Sequence, residues 1–591
     1  MSQVSQMGLV PDPYMKSEIR DGMRIDWNAP VPMDDGLVLR ADIFRPIPAG
    51  KYPVILTYGI YAKGLSYQEG YPMQWQKMVA DHPEILEGST NKYQNWEVTD
   101  PERWIPHGYI CIRVDSRGAG WSPGFMDPNQ PREIDDLYQC IEWAGTQPWS
   151  NGKVGMLGIS YYSSNQWRVA ARHPPHLAAI IPWEGRNDNY RDNTYHGGIL
   201  SEFQKPWAKN QVVHVQYGRG ERARKNPNTG QSIAGPITLS DEELAKNRVD
   251  AFEESKRHPL CDEWHRSRTA DLSQVTVPLL SCANWGGQGI HPRGNFNGFM
   301  YSASEKKWLE AHGDSHWSLF SAGYGLAIQK RFFDYFLKGV DNGWEREQPR
   351  VFLNLRQPGE KFVPRAEKEW PLARTQWTKF YLDPANLSLT PHPVVQSAGV
   401  EYDATGNGLT FWMPPLPKAT EITGPMAAKL FISSSTTDAD LFLVVRVFDP
   451  QGQELTFFGS TDPNTPIANG WQRASHRRLD LERSKPYQPW HPHDRIEPLT
   501  PGQIYELDIE IVPSCIVVPE GWRVALSIRG KDYEYAGEIG EFGKKFYFGT
   551  RGTGGMTHKD PDNRPPEIFH NKVKVYAGGQ WGSYLLLPII P

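Results

Sequence analysis

The chain has 591 residues and a net charge of -5, from 63 lysines and arginines and 68 aspartates and glutamates. This length is too great for a single hydrophobic core and predicts two or three domains. The sequence contains neither a basic stripe of the kind that binds nucleic acid nor an apolar run long enough to span a bilayer. We therefore expect no nucleic-acid or membrane partner.

The cysteines and the N-terminal segment indicate the compartment. The five cysteines are scattered and form no Cys-x-x-Cys pair, which predicts free buried thiols and neither a disulfide framework nor a zinc site. Residues 1–6 lack the cationic start and apolar core of a signal peptide. Both features predict a soluble cytoplasmic protein.

The first part of the chain alternates strand-like and helix-like segments. Residues 38–44 alternate in the manner of an edge strand, whereas 53–58 and 109–114 are short β-rich runs typical of central strands. A helix is predicted over 134–145 and a further strand over 177–181. This order predicts an α/β fold, an open and mostly parallel sheet covered on both faces.

Residues 186–271 interrupt that alternation. They are polar and contain a short helical run in which Ser240 and Glu243 fit a capping box. An insertion at this place in a parallel sheet often acts as a lid. The sequence therefore predicts a helical cap over the sheet.

After the cap the core pattern returns and then gives way to strands alone. Strands over 275–282 and 306–311 and an amphipathic helix over 320–338 complete the core. Beyond about residue 350, short alternating runs recur between Pro and Gly turns, which predicts a β-sandwich or jelly roll. The predicted domains are an α/β core in two parts, a helical cap and a C-terminal jelly roll, at residues 1–185 with 272–345, 186–271 and 346–591.

Ser160 lies at the junction of a short strand and a helix. The strand over 153–159 ends in Gly158-Ile159-Ser160, the sequence form of a nucleophile elbow, in which a strained turn lifts the serine oxygen into a cleft. Tyr162 replaces the second glycine that usually follows such a serine. The helix behind Ser160 directs its first backbone amides toward any oxyanion formed there. We therefore predict that Ser160 is a nucleophile.

A serine nucleophile needs a histidine base, which in an α/β hydrolase follows the last strand of the sheet. His312 and His316 lie there, and a loop position lets His316 reach back to Ser160, so His316 is the predicted base. A metal site at these two histidines is disfavoured because Gly313 occupies the place of the Glu in His-Glu-x-x-His.

Several motifs in the same order resemble the CocE/NonD family, the cocaine esterase and X-prolyl dipeptidyl-peptidase group of serine hydrolases. The resemblance covers nearly the whole chain. It rests on residues 33–36, 115–124, 142–149, 158–161 and 313–316, and on the entry to the C-terminal domain at 424–428.

The resemblance implies an α/β-hydrolase core, a helical cap and a β-sandwich, with ester or amide hydrolysis as the activity. It places the nucleophile on Ser160 and the base on His316. It places the oxyanion hole on the amide of Tyr161 and the hydroxyl of a tyrosine after an early strand, for which Tyr61 is the candidate.

The acid of the triad is where the sequence departs from the family. Gly287 falls where the family carries its aspartate, and Asn284 nearby cannot ionise. In this architecture the acid can also follow the strand next to that of the nucleophile, which points to Glu184. Asp188 is the alternative, although its stretch also resembles relatives with the usual aspartate, which favours a structural role. Asp314 is too close in the chain to His316 to align with its ring.

These observations favour a serine hydrolase that forms an acyl-enzyme on Ser160 from a small ester, amide or short peptide. No phosphate loop or dinucleotide fingerprint is present, so we expect no cofactor. X-Pro dipeptidyl-peptidase activity is one alternative, and a cyclase-like or purely binding protein with a modified triad is another. The sequence leaves the substrate and the formation of a homo-oligomer open.

Overall fold

The computed structural model describes residues 12–545 and 551–591. One eleven-stranded sheet spans residues 16–367, and a second, twelve-stranded sheet spans 376–590. No helix among these residues is long and apolar enough to cross a membrane. Residues 1–6, which bear on the predicted location, lie outside the described part. All five cysteines are free, and four are buried as predicted, whereas Cys261 is partly exposed.

The first sheet is parallel in its centre. Its order is β1-β2-β3-β5-β4-β6-β7-β10-β11-β12-β13, and strands β5, β4, β6, β7, β10, β11 and β12 run parallel to their neighbours within that block. The strands are β1 (Lys16–Arg20), β2 (Met23–Pro32), β3 (Val38–Pro46), β4 (Tyr52–Gly59), β5 (Ile110–Asp115), β6 (Ser150–Ile159), β7 (Leu177–Trp183), β8 (Tyr195–His196), β9 (Ile199–Leu200), β10 (Leu279–Asn284), β11 (Lys307–His312), β12 (Val351–Gln357) and β13 (Lys361–Glu367), of which β8 and β9 form a separate hairpin.

One sequence-based expectation about this sheet is corrected. β3 was predicted as an edge strand, but it pairs with β2 on one side and β5 on the other, because the β1–β2 hairpin extends the sheet beyond it. β12 and β13, which follow the predicted domain limit at residue 346, pair with this first sheet. Alternation along a strand reports which face is buried and does not reveal whether a further strand pairs with it.

Helices cover both faces of the sheet. The helix predicted over 134–145 is present at Pro131–Gly145 and buries Ile134, Leu137 and Ile141, as its apolar spacing requires. The helices are α1 (Tyr67–Gly70), α2 (Pro72–Asp81), α3 (Pro101–Trp104), α4 (Pro131–Gly145), α5 (Tyr161–Ala170), α6 (Gln204–Trp207), α7 (Asp241–Lys246), α8 (Ala251–Lys256), α9 (Glu263–Arg266), α10 (Pro292–Tyr301), α11 (Ser318–Ser321), α12 (Gly323–Lys338), α13 (Trp344–Glu347), α14 (Glu541–Lys545) and α15 (Pro566–Phe569).

The insertion between β7 and β10 consists of short elements. It contains α6 to α9, the β8–β9 hairpin and the helical turns Tyr190–Thr194, Ala208–Val212, Val213–Val215 and Gly220–Arg222. The predicted capping box is present at the start of α7, where Ser240 and Glu243 cap each other's backbone amides. The insertion supplies one wall of the cavity described below.

The C-terminal domain is all β apart from short helices. Its sheet closes on itself because β27 pairs with both β14 and β18, and the apolar side chains inside it form one core. The strands are β14 (Gln376–Asp383), β15 (Ser388–Thr390), β16 (Ala398–Asp403), β17 (Leu409–Trp412), β18 (Thr420–Ser434), β19 (Asp440–Phe448), β20 (Glu454–Leu455), β21 (Phe457–Gly459), β22 (Asp462–Thr465), β23 (Ala468–Arg473), β24 (Tyr505–Val518), β25 (Arg523–Arg529), β26 (Lys572–Ala577) and β27 (Tyr584–Ile590), with β21 and β22 paired apart from the sheet.

Candidate active site

Ser160 occupies a strained turn between β6 and α5. Its φ of 56° is in the left-handed region, which side chains rarely adopt outside functional turns. Its backbone amide donates to the carbonyls of Trp183 and Glu184, at 3.2 and 3.1 Å, and this holds the turn against the end of β7. A Cβ at Gly158 would lie 2.4 Å from Cβ of Tyr162, so only glycine fits there. The geometry is that of a nucleophile elbow.

The imidazole next to Ser160 belongs to His291. Its Nε2 lies 3.1 Å from Oγ of Ser160, within hydrogen-bond reach. His291 follows β10, in the loop that contains Gly287, and directly precedes α10. Hydrogen-bond contact with a nucleophilic oxygen is the first requirement for a general base.

The predicted contact of Ser160 with His316 is corrected by the structure. Nδ1 of His316 is 2.7 Å from Oε2 of Glu184, and its Nε2 is 2.9 Å from Oε1 of Glu97. Both ring nitrogens are thus engaged by carboxylates, and Nε2 is turned to Glu97 where the sequence led us to expect Ser160. The two imidazoles of His316 and His291 stack in parallel, with centroids 4.8 Å apart.

Glu184 is placed beside His316, at the end of β7. Its side chain is fully buried and its φ is 48°. Oε2 accepts hydrogen bonds from Nδ1 of His316 and, at 3.0 Å, from the hydroxyl of Ser460. Oε1 contacts Nε2 of His312 and Nδ2 of Asn284, both at 3.2 Å. Nδ1 of His291 is 4.0 Å from Oε2.

The other two carboxylates considered from the sequence point elsewhere. Asp188 pairs with Arg191 at 2.8 Å and accepts the backbone amides of Tyr190 and Arg191, so it fixes the start of the insertion. Asp314 contacts Nε2 of His82 at 2.8 Å. Neither makes a hydrogen bond with a histidine of the Ser160 site among the described residues.

The charges of this cluster shift the pKa values of the two stacked histidines in opposite directions. Burial opposes the charge of His316, but the adjacent Glu184 and Glu97 outweigh that effect and raise the pKa of His316 to about 10. Burial and then the charge of His316 lower the pKa of His291 well below its usual value. Burial also opposes the charge of Glu184, yet the charge of His316 and the hydrogen bonds of His312 and His316 hold the pKa of Glu184 well below its ordinary value.

At neutral pH these directions give His316 as an imidazolium and His291 as a neutral imidazole. A neutral Nε2 accepts the proton of the Ser160 hydroxyl, which places the Nδ1 proton of His291 on the side of Glu184. His316, already protonated, has no lone pair to accept a proton.

Tyr61 and the start of α5 border the same cavity. The hydroxyl of Tyr61 accepts Nε1 of Trp207 at 3.0 Å, which leaves its own proton to be donated. Burial raises the pKa of Tyr61 well above 10, so the phenol stays protonated. Tyr161 begins α5, and its hydroxyl is directed away to Glu133 at 2.6 Å. The first backbone amides of a helix have no intrahelical acceptor, and the amide of Tyr161 comes directly after Ser160 at the start of α5.

Ser160 lies between two cavities that share Tyr61, Trp207, Ile290 and His291 in their walls. The larger lies under the insertion and is lined by Arg186 and by polar side chains of the insertion. The smaller is lined by aromatic side chains together with Glu97 and His316. A substrate that extends to both sides of a cleaved bond fits such an arrangement.

In the described part of the chain, one group of side chains has ligand atoms close enough together to hold a metal ion, namely Glu184, His291 and His316. Each of them already has a partner that accounts for its position. Nδ1 of His316 bonds to Glu184, and Nε2 of His291 contacts Ser160.

Three residues of the site were not anticipated from the sequence. His291 carries a usable signal, because it lies in the loop after β10, where hydrolases of this architecture place a triad residue. Glu97 lies in an irregular segment and Ser460 comes from the C-terminal domain. No local pattern distinguishes either of them.

Comparison with known families matches the two halves of the chain separately. Residues 35–317 match the X-Pro dipeptidyl-peptidase (S15 family) model. Residues 342–545 match the X-Pro dipeptidyl-peptidase C-terminal non-catalytic domain. The division between the two matches falls near the end of α12.

Individual relatives cover the whole chain. The cocaine esterase of Rhodococcus sp. (strain MB1 Bresler) is 24% identical over 631 residues, covering 95% of this chain and 98% of that protein. The crystal structure of a CocE/NonD family hydrolase from Staphylococcus aureus is 32% identical, with a TM-score of 0.83 over 100% of this chain and 99% of that one. An aminopeptidase from a marine sediment Thaumarchaeota archaeon shares the fold, with a TM-score of 0.68 at 16% identity, covering 100% of this chain and 99% of that one.

Proposed function

Because this chain belongs to the CocE/NonD family of hydrolases, we propose that it hydrolyses small esters through an acyl-enzyme on Ser160, with His291 as the general base. The observation that carries this assignment is the 3.1 Å contact between Ser160 Oγ and His291 Nε2 on a strained elbow. Glu184 is the acid of the site and His316 is a charged neighbour that fixes it.

The proposed reaction proceeds in two halves. His291 Nε2 takes the proton of Ser160 as Oγ attacks the ester carbonyl, and the carbonyl electrons move onto the oxygen. The hydroxyl of Tyr61 and the amide of Tyr161 stabilise that oxyanion. Collapse of the intermediate breaks the ester bond, and the alcohol leaves with the proton from His291. Water, deprotonated by His291, then releases the acid and restores Ser160.

Glu184 has two tasks in this scheme. Through its hydrogen bonds to His316, His312 and Ser460 it is held rigidly against the histidines. When His291 becomes protonated, Oε2 of Glu184 lies 4.0 Å from its Nδ1, and a shift of about 1 Å makes a hydrogen bond of normal length. The charge of Glu184 then stabilises the imidazolium that forms beside Ser160.

The assignment made from the sequence alone, His316 as base, is the competing form of the same function. It requires Nε2 of His316 to leave Glu97 and turn to Ser160. Replacing each histidine separately tests the two forms. We expect His291→Gln to lower kcat for a neutral aryl ester by about 10⁴-fold or more and His316→Gln by far less. The reverse order of losses would assign the base to His316.

Fluorophosphonate labelling tests the class of reaction. An activated serine is modified covalently, so the folded chain takes up the probe at Ser160 and Ser160→Ala does not. A wild-type chain that stays unlabelled while folded contradicts a serine hydrolase mechanism and favours the cyclase-like or binding alternative.

X-Pro dipeptidyl-peptidase activity is the second candidate, and it is supported by the names of both matching family models. Such an enzyme holds the free amine of its substrate with a carboxylate. In the larger cavity, Asp127 lies 3.4 Å from Arg268, and Glu254 lies 2.6 Å from Arg257. Because these carboxylates already have cationic partners, we favour esters. Hydrolysis of an X-Pro-anilide faster than of a matched ester would reverse this order.

Finer expectations from the sequence stay predictions. They are a jelly-roll topology for the C-terminal sheet, the domain limits given above, a cytoplasmic location and a homo-oligomeric state.

A further inference from the structure

Arg186 projects into the larger cavity beside Ser160. It follows Glu184 by two residues, so the end of β7 delivers both side chains to the site. Its one side-chain hydrogen bond among the described residues is from Nη1 to Oδ1 of Asn189, at 2.9 Å. It lines the same cavity wall as Ser160 and His291.

No carboxylate neutralises this guanidinium. Across the described residues, no Asp or Glu oxygen lies within ion-pair distance of Arg186, whereas every other charged residue in the cavity wall has such a partner. Asp127 is paired with Arg268 and Glu254 with Arg257. The cavity wall therefore carries one uncompensated positive charge.

The acidic residues near Arg186 are also occupied by other arginines. Asp192 binds Arg293 at 2.9 Å, and Asp188 binds Arg191 at 2.8 Å. Burial lowers the pKa of Arg186 from its ordinary value, although an arginine side chain remains protonated at neutral pH. The Arg186 side chain is partly exposed in the cavity, so its unpaired guanidinium is accessible to a ligand that supplies the opposite charge.

The surroundings of Arg186 suit a planar anion. The guanidinium presents several N–H donors in a fixed fork that matches a carboxylate. Asn189, Asn193 and Gln204 line the same cavity and are neutral hydrogen-bonding groups. Arg186 and Ser160 line the same cavity, so one substrate can place an anion at the guanidinium and an ester at the serine.

We propose that the substrate carries a carboxylate in addition to the ester that is cleaved, and that Arg186 binds this carboxylate in the cavity beside Ser160. This inference rests on the proposed function and narrows it to esters of anionic acids or alcohols. Arg186 acts here as a specificity-determining residue and takes no part in the proton transfers.

Matched substrates test the proposal. One pair is the 4-methylumbelliferyl hemiester of adipic acid and the methyl ester of that compound, which differ in a single carboxylate on the acyl side. A second pair is the butyrate ester of 4-hydroxybenzoate and its methyl ester, which place the carboxylate on the alcohol side. We expect the wild-type kcat/KM to be at least about tenfold higher for the anionic member of one pair.

The variants are Arg186→Gln and Arg186→Lys, with Arg172→Gln as the control. Arg172 lies on the surface, paired with Asp135. Arg186→Gln should remove the preference, mainly through KM, and leave the neutral ester within about threefold, whereas Arg186→Lys should retain part of the preference because the charge remains. Equal effects of Arg186→Gln on both members of each pair, or no wild-type preference, would overturn the proposal.

Two further measurements distinguish a failure of the Arg186 proposal from a failure of the proposed ester hydrolysis. If no ester is turned over in a Ser160-dependent manner, the proposed function itself fails. If Arg186→Gln does not fold, inhibition of the wild type decides the matter. Adipate should inhibit hydrolysis of the neutral ester at a concentration at least about tenfold lower than adipamide does, and equal inhibition by the two would contradict an anion site.

Discussion

Replacing Glu184 with glutamine removes one charge from the buried cluster while keeping its volume. Glu184 is fully buried, and its carboxylate is hydrogen-bonded to four side chains, of which His316 at 2.7 Å is the closest. Removing one partner of a buried ion pair costs about 3–5 kcal/mol. We therefore expect Glu184→Gln to lower the free energy of unfolding by that order and kcat by up to about 10⁴-fold.

The stabilisation from the pair of His316 and Glu184 should depend on pH in a definite direction. The pKa of His316 is about 10, above the ordinary value of 6.5, and this difference corresponds to roughly 5 kcal/mol at most. Because the folded pKa is the higher one, the stabilisation is fully present below pH 6.5 and is lost as the pH rises through 10. The difference in unfolding free energy between wild type and Glu184→Gln should therefore be largest near pH 6, decrease as the pH rises and become small above pH 10.

Urea unfolding at several pH values, together with ester turnover, measures both effects. Glu142→Gln is the matched control, because Glu142 also contacts a histidine at 2.7 Å, at His176, but both side chains are partly exposed. An exposed pair of this kind contributes about 1 kcal/mol or less. If Glu184→Gln unfolds at the same urea concentration as the wild type and keeps its turnover, the account of this cluster is wrong.

Two further substitutions probe the walls of the site. Tyr61→Phe removes one proposed oxyanion donor and should lower kcat by about 10²–10³-fold with little change in KM; steady-state kinetics check this, and an unchanged kcat would exclude Tyr61 from that role. Gly287→Asp restores the acid that the family usually carries, but a Cβ there lies 2.7 Å from Oγ of Ser460 and the new carboxylate adjoins Glu184. We expect a loss of about 1–3 kcal/mol in unfolding free energy and no gain in turnover, with Gly287→Ala as the control for the steric part; a more stable or more active aspartate variant would contradict this.

The sequence predicts best those parts of the molecule whose structure is determined by residues adjacent in the chain. The strand before Ser160, the helix after it and the capping box at Ser240 each follow from a few adjacent residues. The prediction of a serine hydrolase of this family is confirmed by its relatives. The motifs behind that prediction also lie within short segments.

The contacts that complete the site join distant segments. Ser160 and His291 are 131 residues apart, and Ser460 reaches Glu184 across 276 residues and a domain boundary. In the sequence, Gly287 stands where the family carries its triad acid. In the fold, the missing side chain also leaves the space that Ser460 occupies beside Glu184. Such complementarity depends on how the two domains pack, which no local pattern records.

The dependence of kcat/KM on pH, measured with a neutral ester, tests the choice of base most directly. This profile reports the pKa of the base in the free enzyme. If His291 is the base, its depressed pKa predicts a rate that stays constant as the pH falls to 6.5 and declines only below it. A rate that climbs about tenfold per pH unit from neutrality toward pH 10 would contradict the account and identify His316, whose pKa is about 10, as the base.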